Sequence, residues 1–146
     1  MGGYYMDKIS SFDGKYRFLS NFSNHTVTFG GFTYKNSEAA FHAQKDPSRA
    51  AEFVDLSPSQ AKRLGRRVKL RADWEQVKDD IMFDIVMAKF QQHDGIRKRL
   101  IETEDADLEE GNTWGDKYWG TVDGKGENKL GKILMQVRDI LRGEEE

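Results

Sequence analysis

The sequence predicts a mostly helical α+β fold with a small antiparallel β element, and three observations predict it. Residues 26–34 alternate apolar and polar side chains about Gly30-Gly31. The segment from Trp74 to about His93 has helical length, and its residues 81–90 are apolar on nearly every side. Residues 128–142 set Leu130, Ile133, Leu134, Val137 and Leu141 on one helical stripe.

The elements follow in chain order. Val27 and Phe29, then Phe32 and Tyr34, repeat at period two on either side of the glycine pair, the pattern of a short hairpin. Asn36 and Ser37 are good N-cap residues, and the alanine-rich run from Glu38 to Lys45 has an acid in its first turn, so a helix is expected there, ended by Pro47. Ser57-Pro58 opens a second short helix to about Leu64-Gly65, with proline at the first helical position. Asp73 is expected to cap the long helix. Asp94-Gly95 breaks it, and Ile96 to Thr103 forms another. From Glu104 to Lys129 the chain is rich in Gly, Asp and Trp and reads as loops with short strands. The last helix ends near Gly143.

The 146 residues fit a single domain, 1–146, with 1–8 and 143–146 expected to be flexible. Leu, Ile, Val and Phe make up only about 22% of the chain, a level at which disorder becomes a concern. A formal charge of −2 and an aromatic content of 12% argue against it and point to a small, ring-rich core. No apolar run reaches the roughly 20 residues of a membrane span, and the N-terminus lacks a signal-peptide pattern, so a cytoplasmic setting is expected by default. The absence of cysteine excludes disulfides, thiolate metal sites and cysteine nucleophiles. His25, His42 and His93 are spread apart, so no metal site is expected; no cofactor is expected either.

Four groups of polar residues are out of place. Lys89 and Asp84 interrupt the apolar helix. Lys89 either snorkels to water or pairs with a carboxylate, or it is a buried amine of lowered pKa able to act as a nucleophile. Helical spacing puts Glu38, Phe41, His42 and Lys45 on one face, which is either solvated or a site. His42 alone reads as a structural histidine. The segment from Glu110 to Gly120 carries Trp114, Tyr118 and Trp119 beside Glu110 and Asp116, as a ligand loop or as a core plug. The glycines from Gly124 to Gly131 lead into the last helix, where backbone N–H groups could hold a phosphate, although turn formation accounts for them as well. Finally Lys62, Arg63, Arg66, Arg67, Lys69 and Arg71 form a basic run, usually a solvated face, otherwise an attractor for phosphate or nucleic acid.

In order and spacing these residues resemble the NADAR (YbiA-like) family over about Phe18 to Arg138. The resemblance is carried by Phe18-Leu19-Ser20-Asn21-Phe22, by Tyr34 with Ser37-Glu38-Ala39-Ala40-Phe41 and Gln44-Lys45, and by Asp73-Trp74 with Met82. It continues through Lys89-Phe90, the Glu110–Asp116 run with Trp119-Gly120, Gly126, Asn128 and Leu130-Gly131, then Met135, Val137 and Arg138. The resemblance implies an N-glycosidase that cleaves a ribose C–N bond. Its substrate would be a phosphoribosylated early riboflavin-pathway intermediate or an ADP-ribosylated guanine, free or within nucleic acid, with no membrane partner and the oligomeric state left open.

That chemistry needs a carboxylate near the positive charge developing on the ribose carbon, and an acid for the leaving nitrogen. Glu38 and Asp116 are the candidates, Glu38 as acid and Asp116 as carboxylate. The sugar passes to water or, through an opened-ring imine, to a lysine; Lys89 is favoured, with Lys45 holding phosphate or ribose hydroxyls. Phe18, Trp74 and Trp119 would wall in the base. Ser20 and Asn21 would bond ribose or phosphate, and Gly120 and Asn128 complete the substrate-binding set, with Asn128 orienting the glycine loop. The rival readings are a non-catalytic module binding ADP-ribose or a nucleotide, and a nucleic-acid binder using the basic run.

Overall fold

Gly30 and Gly31 both lie at positive φ, 59° and 92°, and the two-residue turn they make fixes the first hairpin. The structure, a computed structural model, describes residues 8–145. The expected flexibility of residues 1–7 and 146 lies outside the described residues. The chain divides into two compact units, one of Asn21–His93 and one of Met1–Ser20 with Asp94–Glu146.

In the unit 21–93, β2 (Val27–Phe29) pairs antiparallel with β3 (Phe32–Tyr34), placing Val27 opposite Tyr34 and Phe29 opposite Phe32. Val27 and Tyr34 are buried, while the Thr28 and Thr33 hydroxyls bond at 2.8 Å on the outer face. The Gln92 carboxamide brackets Thr28, accepting its N–H and donating to its carbonyl, each at 2.9 Å.

Helix α1 (Ser37–Ala43) begins where Asn36 predicts. Asn36 Oδ1 accepts the Ala39 N–H at 2.8 Å, and its Nδ2 donates to the Leu56 carbonyl at 3.0 Å. One buried side chain thus satisfies a helix N-terminus and a distant loop. Asn36→Ala is expected to lower stability by about 2 kcal/mol, the cost of a lost cap with a second group orphaned. Urea unfolding checks it; a loss under about 0.5 kcal/mol would contradict the double role.

Pro47 does not end α1. The helix closes at Ala43, and Pro47 instead opens a 3-10 segment, Pro47–Phe53, at a position where its missing N–H costs nothing. Helix α2 (Pro58–Gly65) starts with the expected Ser57, which forms a reciprocal capping box with Gln60. Helix α3 (Trp74–Gln92) buries Trp74, Met82, Ile85, Val86, Lys89 and Phe90, while Asp84 faces water. Asp73 precedes α3 without capping it through its side chain, because that carboxylate is bound to Arg71 at 2.6 and 3.1 Å.

In the other unit, β1 (Lys8–Ile9) pairs parallel with β4 (Asp107–Leu108), and Lys8 binds Glu109 at 2.7 Å. A 3-10 turn, Gly14–Leu19, follows β1. The long helix stops as expected: α3 ends at Gln92, and Asp94 and Gly95 form the first turn of α4 (Asp94–Ile101), two residues earlier than the spacing predicts, where Asp94 meets Lys98 at 3.3 Å. Helix α5 (Lys129–Glu144) buries Leu130, Ile133, Leu134, Val137 and Leu141, the stripe that the spacing predicts. Gly143 lies inside its last turn rather than beyond it. Among the described residues no helix is long and apolar enough to cross a membrane.

Candidate active site

The α1 stripe forms as its spacing predicts. Glu38 and His42 stand one turn apart, with Nε2 3.4 Å from Oε2 and both side chains largely buried. Phe41 packs on Trp74 at the start of α3, with ring centres 5.1 Å apart. Lys45 brings its ammonium to 5.8 Å from the Trp74 ring centre, and its carbonyl accepts the Arg71 N–H at 3.0 Å. Phe41 and Lys45 therefore meet the start of α3 and His42 is buried, so this face is not solvated.

Two environments set the charges. Burial lowers the Lys45 pKa. Glu38 opposes that shift, while Arg66, Lys62 and Lys78 reinforce it. The Lys89 side chain is fully buried, and burial brings its pKa down to about 7. The snorkelling alternative for Lys89 is thereby excluded: the ammonium does not reach water.

Asn21 links the two helices. Its carbonyl accepts the Glu38 N–H at 3.2 Å, and its Nδ2 reaches the Met82 sulfur at 3.4 Å. Lys89 follows Met82 by seven residues on the same stripe of α3, about 10 Å along the helix. Glu38, Lys45, Trp74, Lys89 and Asn21 thus all belong to the unit 21–93. Trp74 is buried by Phe41, which makes it a wall rather than an open platform.

The remaining expected residues belong to the other unit. Phe18 is buried under the Arg99 guanidinium, 4.2 Å from its ring centre, and Ser20 closes the 3-10 turn by donating its N–H to Arg17. Asp116 Oδ1 accepts the N–H groups of Tyr118 and Trp119 at 3.0 and 2.9 Å, so this carboxylate shapes the loop that carries Trp119. Trp119 meets Tyr118 edge-on at 4.9 Å. Asn112 closes the same loop from inside, donating to the Asp116 carbonyl and accepting its N–H. Sequence reasoning missed Asn112; a polar residue between glycine and threonine carries no periodic signal.

The glycine segment before α5 is not a phosphate cradle. The N–H groups of Glu127, Asn128, Lys129 and Leu130 donate to the carbonyls of Lys117, Gly120, Tyr118 and Trp119. The donors a phosphate would need are already committed. Asn128, at φ 52°, accepts the Glu110 N–H and donates to the Leu108 carbonyl, tying the segment before α5 to residues 108–110. Gly120 is required by close approach: a Cβ there would stand 2.1 Å from the Glu110 carbonyl oxygen.

Glu38 and His42 on α1 and Trp74 and Lys89 on α3 place a carboxylate, an imidazole, an indole and a buried amine within one compact unit. A model of the NADAR domain family matches residues 6–142. N-glycosidase YbiA of Escherichia coli is 42% identical over 129 residues, covering 84% of this chain and 80% of that protein. A riboflavin biosynthesis protein of Vibrio vulnificus is 37% identical over 136 residues, 89% of this chain and 37% of that protein. The solution structure of Escherichia coli YbiA superposes with a TM-score of 0.83 at 39% identity, covering 96% of this chain and 88% of that one. The chain belongs to the NADAR domain family.

Proposed function

We propose that this chain, an enzyme of the N-glycosidase class, hydrolyses the ribose C–N bond of a phosphoribosylated or ADP-ribosylated base through Lys89. The observation that carries the reading is the fully buried Lys89 amine, brought by burial to about 7 in a unit that also holds the largely buried Glu38. Near neutrality such a group is unprotonated about half the time, as a nucleophilic amine must be.

In this route the aminoglycoside ring opens to an imine at the sugar C1. Lys89 Nζ adds to that carbon, and the base nitrogen leaves as an amine, taking a proton from Glu38. Water then hydrolyses the Schiff base, returning Lys89 and free sugar. Lys45, beside the positive charges of Lys62, Arg66 and Lys78, supplies the place for substrate phosphate. The name of the Vibrio relative supports a riboflavin-pathway intermediate as the phosphoribosylated substrate.

The test offers the protein a phosphoribosylaminopyrimidine and an ADP-ribosylated guanosine and follows base release by chromatography. Release from either substrate is expected. Saturable binding with no release from both would replace the enzyme reading by that of a non-catalytic binding module.

A further inference from the structure

Gly65, the last residue of α2, backs directly onto the His42 ring. A Cβ there would stand 2.4 Å from Nδ1 and 2.9 Å from Cγ. Gly65 does not lie at positive φ, so the need for glycine is one of space, not of backbone conformation. The missing side chain leaves room for one ring at one depth.

The ring that fills that space is 7% exposed, and its two nitrogens meet different surroundings. Nε2 faces Glu38 Oε2 at 3.4 Å, whereas Nδ1 is buried with no hydrogen-bond partner among the described residues. A neutral imidazole carries one N–H. With the proton on Nδ1 a donor would be buried without an acceptor; with it on Nε2 the donor faces a carboxylate. The edge-on contact with Phe41, at 5.5 Å, leaves the ring little freedom to turn.

We infer that His42 is a positioning residue for Glu38: its Nε2–H holds the carboxylate in place, and Gly65 sets the depth of the ring. The inference rests on the proposed role of Glu38. His42 itself touches no substrate and transfers no proton. The other charges near this end of α1 are Lys45 in the turn after the helix, Lys62 and Arg66 from α2 and its C-cap, and Lys78 from α3; all stay in place in the variants below.

The test compares His42→Leu, His42→Gln, Gly65→Ala and the Leu/Ala double variant in base release. His42→Leu is expected to lower kcat by about 10–100-fold with KM within about twofold, because a misplaced group costs rate rather than affinity. His42→Gln, whose carboxamide N–H reaches the place of Nε2, is expected to restore kcat to within about threefold of the parent. Gly65→Ala should lower kcat as His42→Leu does, and the double variant should be no worse than His42→Leu, since both act through the same ring.

Normal kcat in His42→Leu, or a His42→Gln variant as slow as His42→Leu, overturns the inference. A thermal melt shows whether each variant is folded. Nitrogen-15 spectra of the His42 ring give a readout independent of turnover: the Nε2-protonated tautomer is expected, and the Nδ1-protonated form overturns the inference whatever the substrate proves to be. If Glu38→Gln retains full turnover the glycosidase role of Glu38 fails. If Glu38→Gln is slow while His42→Leu is normal, only the positioning role fails.

Discussion

Glu38→Gln is expected to leave the fold intact and to lower turnover by about 10²–10⁴-fold, the usual worth of a positioned general acid or base. The Glu38 main chain is held by two contacts, its N–H donating to the Asn21 carbonyl and the preceding Asn36 capping the helix, while its side chain faces His42. Neither contact involves the carboxyl group. Glutamine keeps the shape and removes only the proton that can be given away. Base release measured beside a thermal melt separates the two effects. Turnover within about threefold of the parent, in a folded variant, would remove Glu38 from the chemistry.

Lys89→Met is expected to abolish the lysine–sugar adduct that borohydride traps during turnover, and to lower turnover by at least about 10³-fold. In the parent, trapping should rise with pH through about 7 as the amine loses its proton. A yield that falls across this range would contradict the route, as would an adduct found on another lysine.

The same substitution carries a stability signature whose sign follows from linkage. The folded amine titrates near 7 and the unfolded one near 10.5, so between these values the unfolded chain binds more protons. Parent stability therefore gains from this group as pH rises from 7 towards 10.5. The cost of burying it is largest below 7. At about 1.4 kcal/mol for each unit, that cost has a ceiling of about 5 kcal/mol. Methionine does not titrate, so the stability difference in favour of Lys89→Met should shrink between pH 7 and 10. Parallel stability curves for the two proteins would show that Lys89 is not buried as described.

The features legible in the sequence are those whose physics is local. Gly30-Gly31 dictates its turn without outside help, Ser57-Pro58 with Gln60 starts a helix within one turn, and five aliphatic residues mark the buried side of α5. Lys89 stood out for the same reason, as a charge in an apolar run. What escaped was set by partners far away in sequence. A strand of two residues, Lys8–Ile9, has no periodicity to detect and exists because Asp107–Leu108 lies beside it. Asp73 looks like a cap until Arg71 takes its carboxylate. Asp116 reads by type as the ionised carboxylate, and no spacing shows that one of its oxygens also organises its own loop. The nearness of Gly65 to His42 depends on how α1 meets α2, which no spacing within either helix reveals.

The pairing of Lys8 with Asp107 has a consequence for biosynthesis. During translation the residues 21–93 leave the ribosome as a continuous block, and their own contacts can form at once. The first strand must wait for a partner about a hundred residues behind it, and that partner waits in turn for Asn128 to clamp the Leu108 carbonyl. Nascent chains halted before Asn128 should therefore protect the middle of the sequence from protease while the leading segment is still cut.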